Sequence, residues 1–259
     1  MYKKFIFSFF ILIALLSCGK NNRTPEPSVY TDSRFFPVPT FVDLFASFDN
    51  LQRADFDAVL SEYYVSDILK VYPAAYYLGT LTGEAIVAAN ARNQSKLTSI
   101  ALCMIEYSRM LGISDEVLQL SDELLSMLQS DNWDGLLESL DVYKSQIELS
   151  LYTSRSLDLM TLVQSGGWMQ GLHLMTSLLL QDFSEEKTGI LDQKGIVDNL
   201  VNNLSQMEDE SLYDSSWFQE LISRYRSIYD IINVSGKDEF SLSEVEKLNE
   251  LSDFVIENE

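Results

Sequence analysis

Histidine is almost missing from this chain of 259 residues: His173 is the single one. Cysteine is nearly as scarce, with only Cys18 and Cys103. Zinc centres draw three or four protein ligands chiefly from Cys and His, so this poverty excludes them, and two thiols cannot build a disulfide framework. Positive charge is short too, with 18 Lys+Arg against 39 Asp+Glu and a net charge of −21. Nucleic acid demands a concentrated basic surface, so no nucleic-acid partner is expected. Anionic lipid headgroups make the same demand of side chains. Proline nearly vanishes after residue 40, where Pro73 alone remains. No stretch alternates cleanly with period two, and no Asn-Gly or Asp-Gly pair separates two β-branched runs. Still, 46% of the residues are hydrophobic. That is enough to bury a core and rules out an acidic disordered tail.

The first residues carry an address. Lys3 and Lys4 precede an apolar stretch from Phe5 to Leu16, broken only by Ser8. It is too short to span a bilayer comfortably and suits the hydrophobic region of a signal peptide. Leu15-Leu16-Ser17-Cys18 follows, and it resembles the lipobox of bacterial lipoproteins. The resemblance implies that residues 1–17 are a removed signal peptide and that Cys18 becomes an acylated N-terminus, bearing palmitate-type chains. The mature chain then has 16 basic and 39 acidic residues, a net charge of −23. Two or more acyl chains anchor stably where one does not, so the membrane is an expected partner through the lipid. Gly19, rather than Asp, follows the cysteine, and the next residues are Lys20, Asn21, Asn22 and Arg23 with no acidic run. Within the resemblance this implies the outer membrane of the cell envelope and its periplasmic face. Cys103, the remaining thiol, lies in an apolar helical pattern and is expected in the core.

Residues 18–39 hold four of the five prolines and read as a flexible, part polyproline-like linker. Residues 40–259 change texture. Apolar residues recur every three or four positions, the helical period. A first helix is expected over Phe41–Phe48 and a second from Phe56 through Val59 and Leu60 to Tyr63. A long one follows from about Asp67 to Ala91, with Pro73 in its first turn or at a kink. The next runs from Leu97 to Leu111 with Gly112 as its C′ glycine. Ser114 opens another through Leu128, which Asp131 and Asn132 end before a helix through Leu136 and Leu151. Further helices are expected at about 156–181, 190–208, 212–233 and 242–257. The last is announced by Ser241 and Glu244, a capping box. The fold class is therefore all-α: a single multi-helix domain of roughly nine to ten helices, sequential neighbours antiparallel across short connections.

From Leu159 to Gln181 the chain carries no charge. Gln164, Ser165, Gly166, Gly167, Gln170, His173, Thr176 and Ser177 make it too polar for a simple membrane span, so a central buried helix is expected. Gly79 and Gly83 lie four apart in one long helix, and Gly167 and Gly171 four apart in this one. Interior glycine costs about 1 kcal/mol relative to alanine, so each pair predicts close passage of another backbone. The 88-residue offset is compatible with a pseudo-duplicated helical hairpin, and it predicts that these two helices cross at the domain centre. Tyr76 to Gly79, Leu111 to Ile113 and Gly166 to Leu172, behind a lipobox, are similar to motifs of a set of all-helical envelope lipoproteins. That resemblance spans about a third of the domain and implies fold and location but no reaction.

The chemistry tests are mostly negative. His173 has Gln170, not Glu, three residues before it, so the di-iron bundle pattern fails. Asp131-Asn132-Trp133-Asp134-Gly135 lacks the spacing of an EF-hand loop. There is no Gly-x-Ser-x-Gly elbow and no phosphate loop ending in Gly-Lys-Ser/Thr. Met169 and Met175 share a helix with His173 and cannot lie opposite it as axial haem ligands. No catalytic residue, metal ligand or cofactor is expected, and His173 reads as a buried histidine with one satisfied hydrogen bond. The favoured role is non-catalytic binding or scaffolding, with an envelope protein as partner. The alternative is a small-ligand carrier whose interhelical pocket would be lined by Tyr76, Gly79, Gly83, Trp168, Gly171 and His173.

Overall fold

The computed structural model of the protein describes residues 55–61, 70–130, 132–234 and 238–256. All of them belong to one compact unit, Asp32–Glu259. Among the described residues the regular structure is entirely helical, with eight α-helices in chain order: α1 Val71–Asn90, α2 Gln94–Met110, α3 Asp115–Gln129, α4 Trp133–Thr153, α5 Leu157–Gln181, α6 Lys194–Ser205, α7 Ser216–Ile232 and α8 Leu242–Ser252. Short 3₁₀ turns lie at Asp57–Val59, Glu185–Leu191 and Glu210–Asp214.

The local stop and start signals act as their chemistry dictates. Pro73 is the third residue of α1, where its missing N–H would have had no intrahelical partner. Gly112 takes φ +68°, its N–H donates to Arg109 O, and Ile113 N–H donates to Ser108 O. These two bonds define a Schellman motif. Asn132 caps α4 through Gly135 N–H, at 3.2 Å. Ser241 and Glu244 form the capping box of α8. The same Schellman pattern closes α1 and α4 around Arg92 (φ 53°) and Arg155 (φ 59°), positions where a Cβ is unfavourable.

The count falls short of nine to ten for definite reasons. The helix expected over Phe41–Phe48 lies outside the described residues. The one expected from Phe56 shrinks to the turn Asp57–Val59, whose residues are all at least part-exposed. The last helix stops at Ser252 rather than 257. Beyond it Phe254 and Ile256 are buried while Val255 is 66% exposed, the alternation of an extended segment. Arg224 ends α8 there by donating from Nη1 to the carbonyls of Glu250, Leu251 and Asp253. Tyr77 then holds the tail, its hydroxyl donating to Ile256 O and accepting from Ile256 N–H.

Several hydroxyls inside the core bond within their own helices. Thr80 donates to Tyr76 O, Thr82 to Leu78 O, Thr176 to Leu172 O and Ser252 to Leu248 O. This four-back pairing satisfies a hydroxyl without a tertiary partner. It explains how α1 and α5 are buried on most sides while carrying polar side chains. No helix among the described residues is long and apolar enough to cross a membrane.

The centre of the unit is the crossing of α1 and α5, its most extensive interhelical contact. The two helices run in the same direction. Tyr72, at the start of α1, donates to Asp209, whose own N–H reaches Asp158 at the start of α5. Twelve residues later, Glu84 of α1 meets Gln170 of α5. The three intervening helices reverse the chain at each short connection, so the fifth helix returns parallel to the first. α8 packs on α5 more extensively than does α6, its successor in the chain.

Candidate functional site

At the crossing the glycines bring backbone onto backbone. A Cβ on Gly79 would run into Val163 O and lie 2.7 Å from Gly167 N. One on Gly166 would run into Tyr76 O and lie 3.2 Å from Thr80 N. One on Gly83 would lie 3.2 Å from Gly167 O. Real Cβ atoms do not come this near at the first two positions, so hydrogen is the only substituent that fits. The predicted crossing is present, and on α5 it is Gly166, one residue before the expected pair, that receives the backbone of α1.

Directly after Gly83 on α1 sits Glu84, fully buried. Its Oε1 accepts the Ser61 N–H at 2.6 Å, and its Oε2 accepts Gln170 Nε2 at 2.7 Å. Burial in apolar surroundings penalises the charged form. That desolvation outweighs the hydrogen bonds from Ser61 and Gln170 and the facing charge of Lys96, and it pushes the carboxyl up to about 7. A buried carboxyl pushed toward neutrality inside a helix crossing marks a place where structure and charge are coupled. Nothing in the sequence pattern singled out Glu84. The one available signal was its place directly after Gly83, within a run of small residues that carries no other charge.

The six residues proposed from sequence as a pocket face different neighbours. Gly79 and Gly83 abut the backbone of α5. Tyr76 is buried edge-on between Tyr77 and Phe254, and burial raises its hydroxyl far above the ordinary value. Trp168 is 1% exposed. Its Nε1 donates to Gln193 Oε1 at 2.8 Å, and its ring lies 5.6 Å from that of Tyr225. Tyr225 in turn donates to Ser165 O. Gly171 is buried in α5. His173 faces α8, with Nδ1 3.4 Å from Asn249 O, while Asn249 donates to His173 O, Thr176 and Ser177. It is half-buried rather than enclosed. Cys103 is buried and free, and burial raises its thiol. Cys18 lies outside the described residues.

Two further buried polar groups escaped the sequence reading. Lys144 and Glu148 pair at 2.8 Å inside α4, an i,i+4 spacing that reads as a solvated face until tertiary packing covers it. Gln164 is 2% exposed, and neither its Oε1 nor its Nε2 has a hydrogen-bond partner. Among the described residues no group of three or more His, Cys, Asp or Glu is placed to hold a metal ion.

Comparison of the chain with protein-family models, with curated proteins and with solved structures returns no match.

Proposed function

We propose that this protein is a lipid-anchored lipoprotein of the bacterial cell envelope, held at the periplasmic face of the outer membrane, with a non-catalytic binding or scaffold role toward an envelope partner. The observation that carries the reading is Leu15-Leu16-Ser17-Cys18 behind a basic and then apolar leader. The helical unit is consistent with it. Its centre is a backbone-to-backbone crossing, and Glu84, which titrates near neutrality, is enclosed and bonded to Ser61 and Gln170. A rigid crossing of this kind suits a body that presents surfaces.

The test is Cys18→Ser. Expressed with labelled palmitate, the natural chain incorporates label and sediments with membranes, and the variant does neither. An unlabelled natural chain, or a variant that still sediments, refutes the anchor.

One observation favours a small-ligand carrier as a second reading. Gln164 and Trp168 lie one helical turn apart on α5, on the same face, and the Gln164 amide is enclosed with its donors and acceptor unengaged. An amide in that state costs about 1–3 kcal/mol unless something bonds it. Native mass spectrometry of the purified chain separates the readings: a co-purified small molecule lost in Gln164→Leu supports the carrier, and a bare mass supports the scaffold.

A further inference from the structure

The segment Asp55–Ser61 lies on the helical unit without burying any residue of its 3₁₀ turn. Phe56, Val59 and Leu60 are part-buried, and polar bonds add to that packing. Gln181, the last residue of α5, clamps Asp55 from both sides: Asp55 N–H donates to Oε1 at 2.8 Å and Nε2 donates to Asp55 O at 3.0 Å. Asn93, the N-cap of α2, donates to the Asp57 carboxylate at 2.6 Å while its Oδ1 accepts Lys96 N–H. At the far end Ser61 N–H donates to Glu84 of α1. Three helices thus grip seven residues, and each grip is a side chain reaching a partner 23 to 126 positions away in sequence. A segment with no fully buried side chain and with exposed hydrogen bonds is among the first to detach in a native protein.

We propose that Asp55–Ser61 is a reversible strap, closed over α1, α2 and α5 by Glu84, Asn93 and Gln181 and released as the surroundings turn alkaline. The sign follows from what the strap covers. Closed, it keeps Glu84 out of water, and the carboxyl prefers its proton up to about 7. Open, water reaches the carboxyl at the place Ser61 leaves, and its affinity for the proton falls toward that of an ordinary glutamate. A state that binds a proton more tightly is favoured by acid, so closure is favoured below neutrality and weakened above it. The charged group facing Glu84 from α2 is Lys96, whose attraction favours ionisation. α5 presents the neutral Gln170. The strap carries Asp55 and Asp57: Asp55 accepts the N–H groups of Asp57 and Ala58, and Asp57 accepts from Asn93.

The test is amide hydrogen exchange of the full chain, read by mass spectrometry on peptides covering 55–61 and corrected for intrinsic exchange. Between pH 5.5 and 8.5 the natural chain should lose at least ten-fold in strap protection while α5 peptides hold theirs. Glu84→Gln, which cannot ionise, should show no such loss, and Gln181→Ala should release the strap at every pH. Strap protection that is flat with pH in the natural chain, or that falls equally in Glu84→Gln, overturns the proposal. If Glu84→Gln does not fold, the carboxyl carbon of Glu84 followed by NMR decides. Its titration midpoint drops in Gln181→Ala if the strap covers it, and an unchanged midpoint refutes the switch.

Discussion

Replacing Glu84 by glutamine should remove a specific pH dependence of folding. In the native state burial pushes the carboxyl from its ordinary 4.5 to about 7. Between these values the native state holds a proton that the unfolded chain has released, so stability falls as pH rises through this window and is level above it. A gap of roughly 2.5 pH units is worth about 3 kcal/mol. The group is fully buried, so solvent does not screen the effect away. Glutamine fits the same space, and Gln170 can accommodate it by turning its amide so that an oxygen faces the new NH₂. Urea unfolding of the natural chain and Glu84→Gln at half-unit intervals from pH 4.5 to 8.5 isolates the effect, because the other carboxylates are common to both. The difference between the two should move by about 3 kcal/mol in favour of the variant on going from pH 4.5 to 8, with unchanged denaturant slope. Parallel stability profiles would show that the Glu84 carboxyl does not feel the burial the fold gives it.

Two other outcomes follow from backbone geometry. Gly79→Ala and Gly166→Ala each drive a methyl into the carbonyl of the opposing helix, and because backbone cannot step aside cheaply each should cost about 3 kcal/mol or more; a melting temperature within a degree or two of the natural chain's would refute the close crossing. Arg92→Gly and Arg155→Gly relieve a Cβ at φ 53° and 59°, a gain of about 1–2 kcal/mol less the extra entropy of the unfolded glycine; each should raise stability by about 0.5–1 kcal/mol in chemical denaturation, while Gly112→Ala, at φ +68°, should lower it.

Much of the helical layout was legible because its signals are local. Period 3.6, Pro73 in a first turn, Gly112 at a C′ position and the Ser241–Glu244 box act through neighbours in the chain. The paired glycines went further, since an interior glycine that costs helix stability implies an approaching backbone, and that backbone was found. The tail was misread for an equally physical reason. Phe254 and Ile256 continue an apolar pattern, but Arg224 takes the last carbonyls of α8 and Tyr77 binds Ile256, so the chain leaves the helix to bury both side chains in extended form.

The candidate site was not legible. Glu84 looks in sequence like one of many carboxylates, and Gln164 like a polar break in an apolar helix. Which charge is buried depends on what packs over it, and here that is α5 and a strap joined through Gln181, partners tens to more than a hundred residues away. By itself the sequence determined most of the helices, several of their ends and the glycine-marked crossing, all of which rest on spacing and residue type. Only the tertiary structure decided that α1 and α5 run parallel, that Trp168 and His173 face different neighbours, and that one glutamate is enclosed where its proton is held until about neutral pH. The reason is that desolvation is a property of the surrounding volume, and no local pattern in the chain records it.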